Sequence, residues 1–468
     1  MVGTAGGRAA EREPGVWSAG RAPTTVGILL LISLTAFESM GVGTAMPDVV
    51  ADLGGIDQYA WPFVSFLAAA VFGTAFGGRW CDARGPRVPL VIAPAVFGAG
   101  LLVAGTASTM AVLLTGRVLQ GLGAGVGGVA VYVLVAAVYS ARQRPVVFGL
   151  ISSAWVVPSL TGPPLAGLVS ERLSWHWVFL GLLPLVGLAL LLVLPAVRGL
   201  GPPATPRSHP AGGAGRPARP GRGARLVVAA LGAAAGVSGL SWALENLDVR
   251  GALAGVAALV VLVPSLRALL PRGVFAARTG IASVVAARGL VAGAFFTVGA
   301  FLPLVLTATH GWSLTEAGVP LIVASLGWSG AAAWQARHPD RDRSAMLRAG
   351  FATIAAGQAG LVPVAAGWWP GWLAIGFWGL AGLGMGVAFS AIAYLTLAHS
   401  AADDVGSHSS AAQLLDQLAT ASFIGLGGAM LVLLGSPDVA MPVLMVVVAA
   451  LALAGAATAG RTRLPEPG

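Results

Sequence analysis

The chain has 468 residues, of which 56% are hydrophobic and only 10% charged, with a mean hydropathy of +0.84. A soluble protein of this length would carry about 25% charged residues, so this composition excludes an ordinary soluble enzyme or binding domain. All 27 basic residues are arginine and give a net charge of +9, but they are scattered over short gaps and form no contiguous nucleic-acid-binding domain.

Fourteen apolar stretches follow one another, at about 24–46, 59–80, 88–107, 110–134, 145–169, 175–197, 225–244, 250–270, 281–306, 314–334, 345–367, 371–396, 409–434 and 438–459. Each is long enough to cross a bilayer core as a helix. Residues 1–23 are polar, glycine-rich and arginine-bearing, and they read as a cytoplasmic tail preceding an uncleaved first helix. Arginines occupy every second gap. Under the positive-inside rule, the outer loops hold only Arg172 and Arg250, and both termini (the second tail being 461–468) are expected in the cytoplasm of a cell inner membrane. Trp61, Trp175, Trp177, Trp312, Trp368, Trp369 and Trp372 cluster near the predicted outer helix ends, where indoles favour the interface.

Residues 199–224 are rich in Pro, Gly and Arg and cannot build a core, so they read as a cytoplasmic linker between 24–198 and the rest. The stretch 225–270 reads as two inserted spans, or as a membrane-associated hairpin in a protein of twelve spans. Residues 271–460 then form a second six-helix unit. Cys81 is the lone cysteine and excludes an internal disulfide. The histidines form no metal-ligand constellation, and the absence of lysine leaves no Walker-type phosphate loop.

Ionisable groups inside a membrane are expensive and usually face a partner or a wet cavity. Arg117 and Arg288 fall within predicted helices, and Glu38 and Asp416 are the two carboxylates well inside them. Counting about 1.5 Å per residue from the helix ends puts Glu38 and Arg117 at similar depth, and Arg288 and Asp416 at a second common depth. Each couple is a candidate ion pair. Glu38 reads as a proton-carrying acid or as a structural partner of Arg117. Asp416 reads as a second such acid or, with Gln413 and Gln417, as part of a polar helix face. Gln120, Trp155, Trp328, Gln358 and Trp378 lie mid-helix and are candidates for a substrate pocket, or for ordinary core packing.

Several segments carry a family resemblance. GRWCDARGPR, with Gly78, Asp82, Gly85 and Arg87, resembles the G-x-L-A-D-R-x-G-R-K loop of the major facilitator superfamily; Arg84 stands beside these residues. Arg117, Gln120, Gly121 and Gly123 resemble its R-x-x-Q-G-x-G motif. Gly149, Gly162, Pro163 and Gly167 match the antiporter motif G-x8-G-x3-G-P-x2-G-G, with Pro158 and Ala166 in place of two glycines. The segment from Ala36 to Leu53, with Ala45, Met46 and Pro47, is similar to the first helix of the fourteen-helix drug:proton antiporters, Glu38 standing where they carry Asp. SWHWVFLGLLP (Ser174–Pro184) and LRALLPRGVF (Leu266–Phe275) resemble two further segments of that family.

The resemblance implies an all-α membrane protein of two six-helix bundles with two inserted helices, each bundle built of inverted repeats around a central cavity. It implies a proton-coupled exporter of small apolar or cationic compounds working by alternating access, with no covalent chemistry, no cofactor and no metal, driven by the proton gradient. Its partners would be the small-molecule substrate, H+ and the lipid bilayer, in a monomer. The loop Gly78–Arg87 would latch the two halves together through ion pairs in the outward-facing state. Other cargo (a lipid, natural product or metabolite) and a non-transporting membrane sensor remain the alternatives.

Overall fold

The computed structural model describes residues 15–140, 142–199, 222–401 and 404–464. The tail at 1–14, most of the linker and residues 465–468 lie outside the described residues, as do those parts of the predicted tails and linker. Described residues contain no strand. Fourteen helices are long and apolar enough to span a membrane: α1 (Ala22–Leu53), α2 (Ile56–Arg84), α3 (Arg87–Gly105), α4 (Met110–Val138), α5 (Val146–Arg172), α6 (His176–Arg198), α7 (Gly223–Glu245), α8 (Val249–Leu269), α9 (Ile281–His310), α10 (Leu314–Ala336), α11 (Arg343–Ala365), α12 (Leu373–Ala398), α13 (Val405–Leu434) and α14 (Pro437–Thr462). Helices are the expected solution, because each satisfies its own backbone polar groups where no water is available.

Two bundles repeat one packing pattern. In the first, α4 packs against α2 and α3, and α1 against α5 and α6. In the second, α12 packs against α10 and α11, and α9 against α13 and α14. The bundles meet along two related seams, α2 against α13 and α5 against α10. Residues 225–270 fall in two helices long and apolar enough to span, α7 and α8, and α7 lies on both α2 and α13. Small residues permit the tight crossings. A Cβ on Gly121 of α4 would come within 2.2 Å of the Phe66 carbonyl oxygen of α2, so only glycine fits there.

Two helices depart from the predicted spans. Helix α1 continues through Pro47 to Leu53 rather than stopping near residue 46. Helix α5 is broken at Ala154 and Trp155, between Arg144–Ser153 and Val156–Arg172. Pro158 supplies the cause: it has no N–H to give the Ala154 carbonyl. The Ser33 hydroxyl of α1 donates to that carbonyl instead, at 2.9 Å.

Candidate functional site

A cavity of about 440 Å³ lies between the two bundles. Its walls come from α1 to α6 on one side and α9, α10, α12 and α13 on the other. Among described residues, three hydrogen bonds join the two bundles, and all lie toward the arginine-poor face. The Tyr59 hydroxyl donates to the Ala300 carbonyl at 2.9 Å. Glu171 at the end of α5 accepts from the Thr315 backbone N–H and from its hydroxyl, each at 2.8 Å, at the start of α10. Beside it, a Cβ on Gly167 would stand 2.7 Å from the Leu314 carbonyl carbon and the Thr315 nitrogen. The arginine-poor face is thus the joined one, and the cavity runs from mid-span toward Tyr132 and Ile151, near the arginine-rich ends of α4 and α5.

Arg117 and Glu38 form a buried ion pair, as their common depth suggests. Glu38 is fully buried and Arg117 is 2% exposed. Arg117 Nη1 donates to Glu38 Oε1 and also to Gln120 Oε1 (2.6 Å), while Nε donates to the Pro62 carbonyl at 2.9 Å. The guanidinium lies 4.5 Å from the Phe66 ring centroid. One arginine therefore ties α1, α2 and α4 together. Glu38 Oε2 has no partner among described residues. Arg288 and Asp416 form the second predicted pair, Nε to Oδ2 at 2.6 Å, and here both side chains are partly exposed. The Arg288 guanidinium stacks 3.7 Å from the Phe389 centroid.

Aromatic residues from α9, α10 and α12 build one wall. Phe295 stacks on Trp378 at 4.5 Å and meets Trp328 edge-on at 5.9 Å. Trp328 in turn packs on Phe389 at 5.1 Å. Helix α13 adds a polar stripe of Gln413, Asp416, Gln417 and Thr420, spaced to fall on one helix face. Trp155 also lines the cavity, at the break in α5.

The remaining predicted positions divide. Gln120 and Gln358, expected at the pocket, are fully buried and do not line it. Gln120 is an acceptor for Arg117. Gln358 of α11 donates to the Ala294 carbonyl of α9 at 2.7 Å, which makes it a tie inside the second bundle. Of the antiporter-motif residues, Gly162 packs on Phe37 and Met40 of α1, Gly167 on α10, and Pro163 on Gly318 of α10. Gly149 has no neighbour within 4 Å of an added Cβ and supports no close packing. Gly85 has φ 73° and ψ 173°, a conformation essentially restricted to glycine, so the turn at 84–87 requires it. Gly78 faces open space. Asp82, Arg84 and Arg87 are exposed and make no ion pair among described residues.

Three residues at the joined face escaped the sequence reading: Tyr59, Glu171 and Glu245. Glu245, at the end of α7, accepts from the Trp61 indole N–H at 2.8 Å. Each sits at a helix end, where a polar residue is ordinary, so nothing local marked it.

The fold agrees with the comparisons. The family model of the Major Facilitator Superfamily matches residues 28–424, and the chain belongs to that superfamily. The chain is 31% identical over 173 residues to the acurin A biosynthesis cluster MFS-type transporter of Aspergillus aculeatus, which covers 37% of this chain and 31% of that one. It is 30% identical over 169 residues to multidrug resistance protein 3 of Bacillus subtilis, covering 36% of this chain and 33% of that one. These alignments span about a third of the relatives' lengths. A crystal structure of an auto-inhibited POT family peptide transporter superposes with a TM-score of 0.69 at 15% identity, over 94% of this chain and 96% of that one, and so shares the fold.

Proposed function

We propose that this chain is a proton-coupled exporter of small apolar or cationic compounds, working by alternating access. The observation that carries this reading is the cavity itself, which lies between two bundles joined at one face and is lined by the ionisable groups Arg117 and Asp416. The arginine-rich face would be cytoplasmic, as the positive-inside rule requires, and the present arrangement would be the inward-facing one. The loop at Asp82, which makes no ion pair among described residues, fits that state, since its latch belongs to the outward-facing one. The partial alignments with proteins named for multidrug resistance and for a biosynthesis cluster support export of diffusible compounds.

In this reading a carboxylate must alternate between protonated and charged as the two faces open in turn. Glu38 is the sealed candidate and Asp416 the one at the cavity wall. When the arginine-poor face parts, Glu38 or Asp416 would take a proton from that side. Return to the present state, with Arg117 or Arg288 reclaiming its partner, would favour release to the other side. Arg117 and Arg288 thus act as the internal cations that expel the proton. The substrate would rest against Phe295, Trp328 and Trp378.

The test is flux in proteoliposomes under an imposed pH gradient, using a panel of cationic dyes and antibiotics. Wild type should move at least one of them against its gradient. Glu38→Gln and Asp416→Asn are measured beside it, and at least one should lose uphill movement while retaining downhill movement. Full gradient-driven transport by both variants would remove the proposed coupling.

A further inference from the structure

The four intramembrane charges do not face the cavity equally. Arg117 and Asp416 line it, whereas Glu38 and Arg288 do not. One wall therefore offers a cation from the first bundle, the other an anion from the second, each with its counter-charge held behind it. Each lining group also keeps one polar atom uncommitted. Arg117 uses Nε and Nη1 for Pro62, Glu38 and Gln120, and its Nη2 makes no hydrogen bond among described residues. Asp416 uses Oδ2 for Arg288, and its Oδ1 accepts none among described residues. The aromatic wall of Phe295, Trp328 and Trp378 belongs to the same cavity.

We infer that the cavity takes an amphoteric planar compound, its acidic end at Arg117, its amine at Asp416 and its flat body on the aromatic wall. This deepens the transport reading and rests on it. The charge balance selects for such a molecule. Both ion pairs are neutral as they stand, so of the cationic compounds in the transport reading the best held are those that also carry an acid; one without it would leave a charge uncompensated in a site of low dielectric. An amphoteric guest adds no net charge, and each of its ends meets an unused partner atom. Charge-assisted hydrogen bonds are the strong ones in such surroundings. The amine and a proton would compete for Asp416, because protonation removes the charge that the amine needs.

The experiment is a binding measurement on the full chain in lipid nanodiscs, by calorimetry at neutral pH. Three probes share one scaffold: aminomethyl-naphthoic acid, its methyl ester (amine charge only) and its N-acetyl derivative (carboxylate charge only). The amphoteric acid should bind at least about tenfold more tightly than either derivative. Asp416→Asn, a near-isosteric change, should lower the affinity of the amphoteric acid to that of the N-acetyl form. An ester that binds as tightly as the acid would overturn the assignment of Arg117. A preference for the amine that survives in Asp416→Asn would overturn that of Asp416. Absence of binding by all three, in a preparation that carries out gradient-driven flux of a cationic dye, overturns the inference and leaves the transport reading in place. Absence of both would bring down the two together.

Discussion

Removing Glu38 tests the buried pair at its most exposed assumption, which is that the Arg117 cation depends on a single anion. Arg117 is 2% exposed, and its other acceptors, the Pro62 carbonyl and Gln120 Oε1, are neutral. Glu38→Ala would leave a buried, unpaired cation, and breaking such a pair from one side costs about 3–5 kcal/mol. Glu38→Gln keeps an acceptor while losing the charge, so its cost should fall lower, at about 1.5–3 kcal/mol, the range of one hydrogen bond to a charged group. Replacing both residues with apolar side chains of similar volume, Glu38→Leu with Arg117→Met, removes the desolvation cost along with the attraction. That double variant should recover most of the stability that Glu38→Ala loses. Equilibrium unfolding in mixed micelles titrated with SDS, followed by far-UV circular dichroism, reads all three. A cost for Glu38→Ala within about 0.5 kcal/mol of zero, the range of an uninvolved surface change, would refute the pairing and its burial.

Four further expectations follow from the geometry. Gly167→Val should hold the arginine-poor face apart, because its Cβ would meet the Leu314 and Thr315 backbone; in a Cys81→Ser background, cysteines introduced near Tyr59 should react faster with a membrane-impermeant maleimide. Glu171→Ala removes an acceptor of two hydrogen bonds from Thr315 and should shift labelling in the same direction, with Glu171→Gln intermediate. Gly85→Ala forces a side chain into a backbone region kept for glycine, at a cost of about 1–3 kcal/mol, and should lower the detergent-stable fraction on size-exclusion chromatography. Ser33→Ala leaves the Ala154 carbonyl without its donor and should destabilise the fold by about 0.5–1.5 kcal/mol in the same SDS titration.

The spans were legible because lipid demands long apolar runs, and nothing in a bilayer core lets a sequence hide them. Both ion pairs were legible too, since depth along a helix can be counted from its ends. Rotation about the helix axis was harder to read. Gln120 and Gln358 are at suitable depths for a pocket, yet their helices turn them into the bundles, toward Arg117 and the Ala294 carbonyl. In fourteen helices that are apolar on nearly every side, periodicity gives little guidance about which face meets a neighbour and which meets lipid. Pro158 carried a signal that could have been used: a helix-interior proline frees a carbonyl four residues back, and α5 breaks at that carbonyl. Tyr59 and Glu171 work across the seam between bundles, so their roles exist only once the two halves are placed together.

The inserted pair raises a mechanical question that the contacts answer in part. Helix α7 lies against α2 of the first bundle and α13 of the second, so any rocking of the two halves must move it relative to at least one of them. Its two contacts differ in kind. Toward α2 it is moored by a hydrogen bond from the Trp61 indole to Glu245, at the arginine-poor end. Toward α13 it presents Ser241 to Gly425, and no hydrogen bond joins α7 to α13 among described residues. A crossing of small side chains can slide without breaking directional bonds, whereas the indole–carboxylate contact must be kept or lost whole. Rocking would therefore carry α7 and α8 with the first bundle and shear them along α13. Because Glu245 lies close to the Gly428 position of α13, opposite Ala60, the shear plane begins at the joined face, where the two bundles would first part.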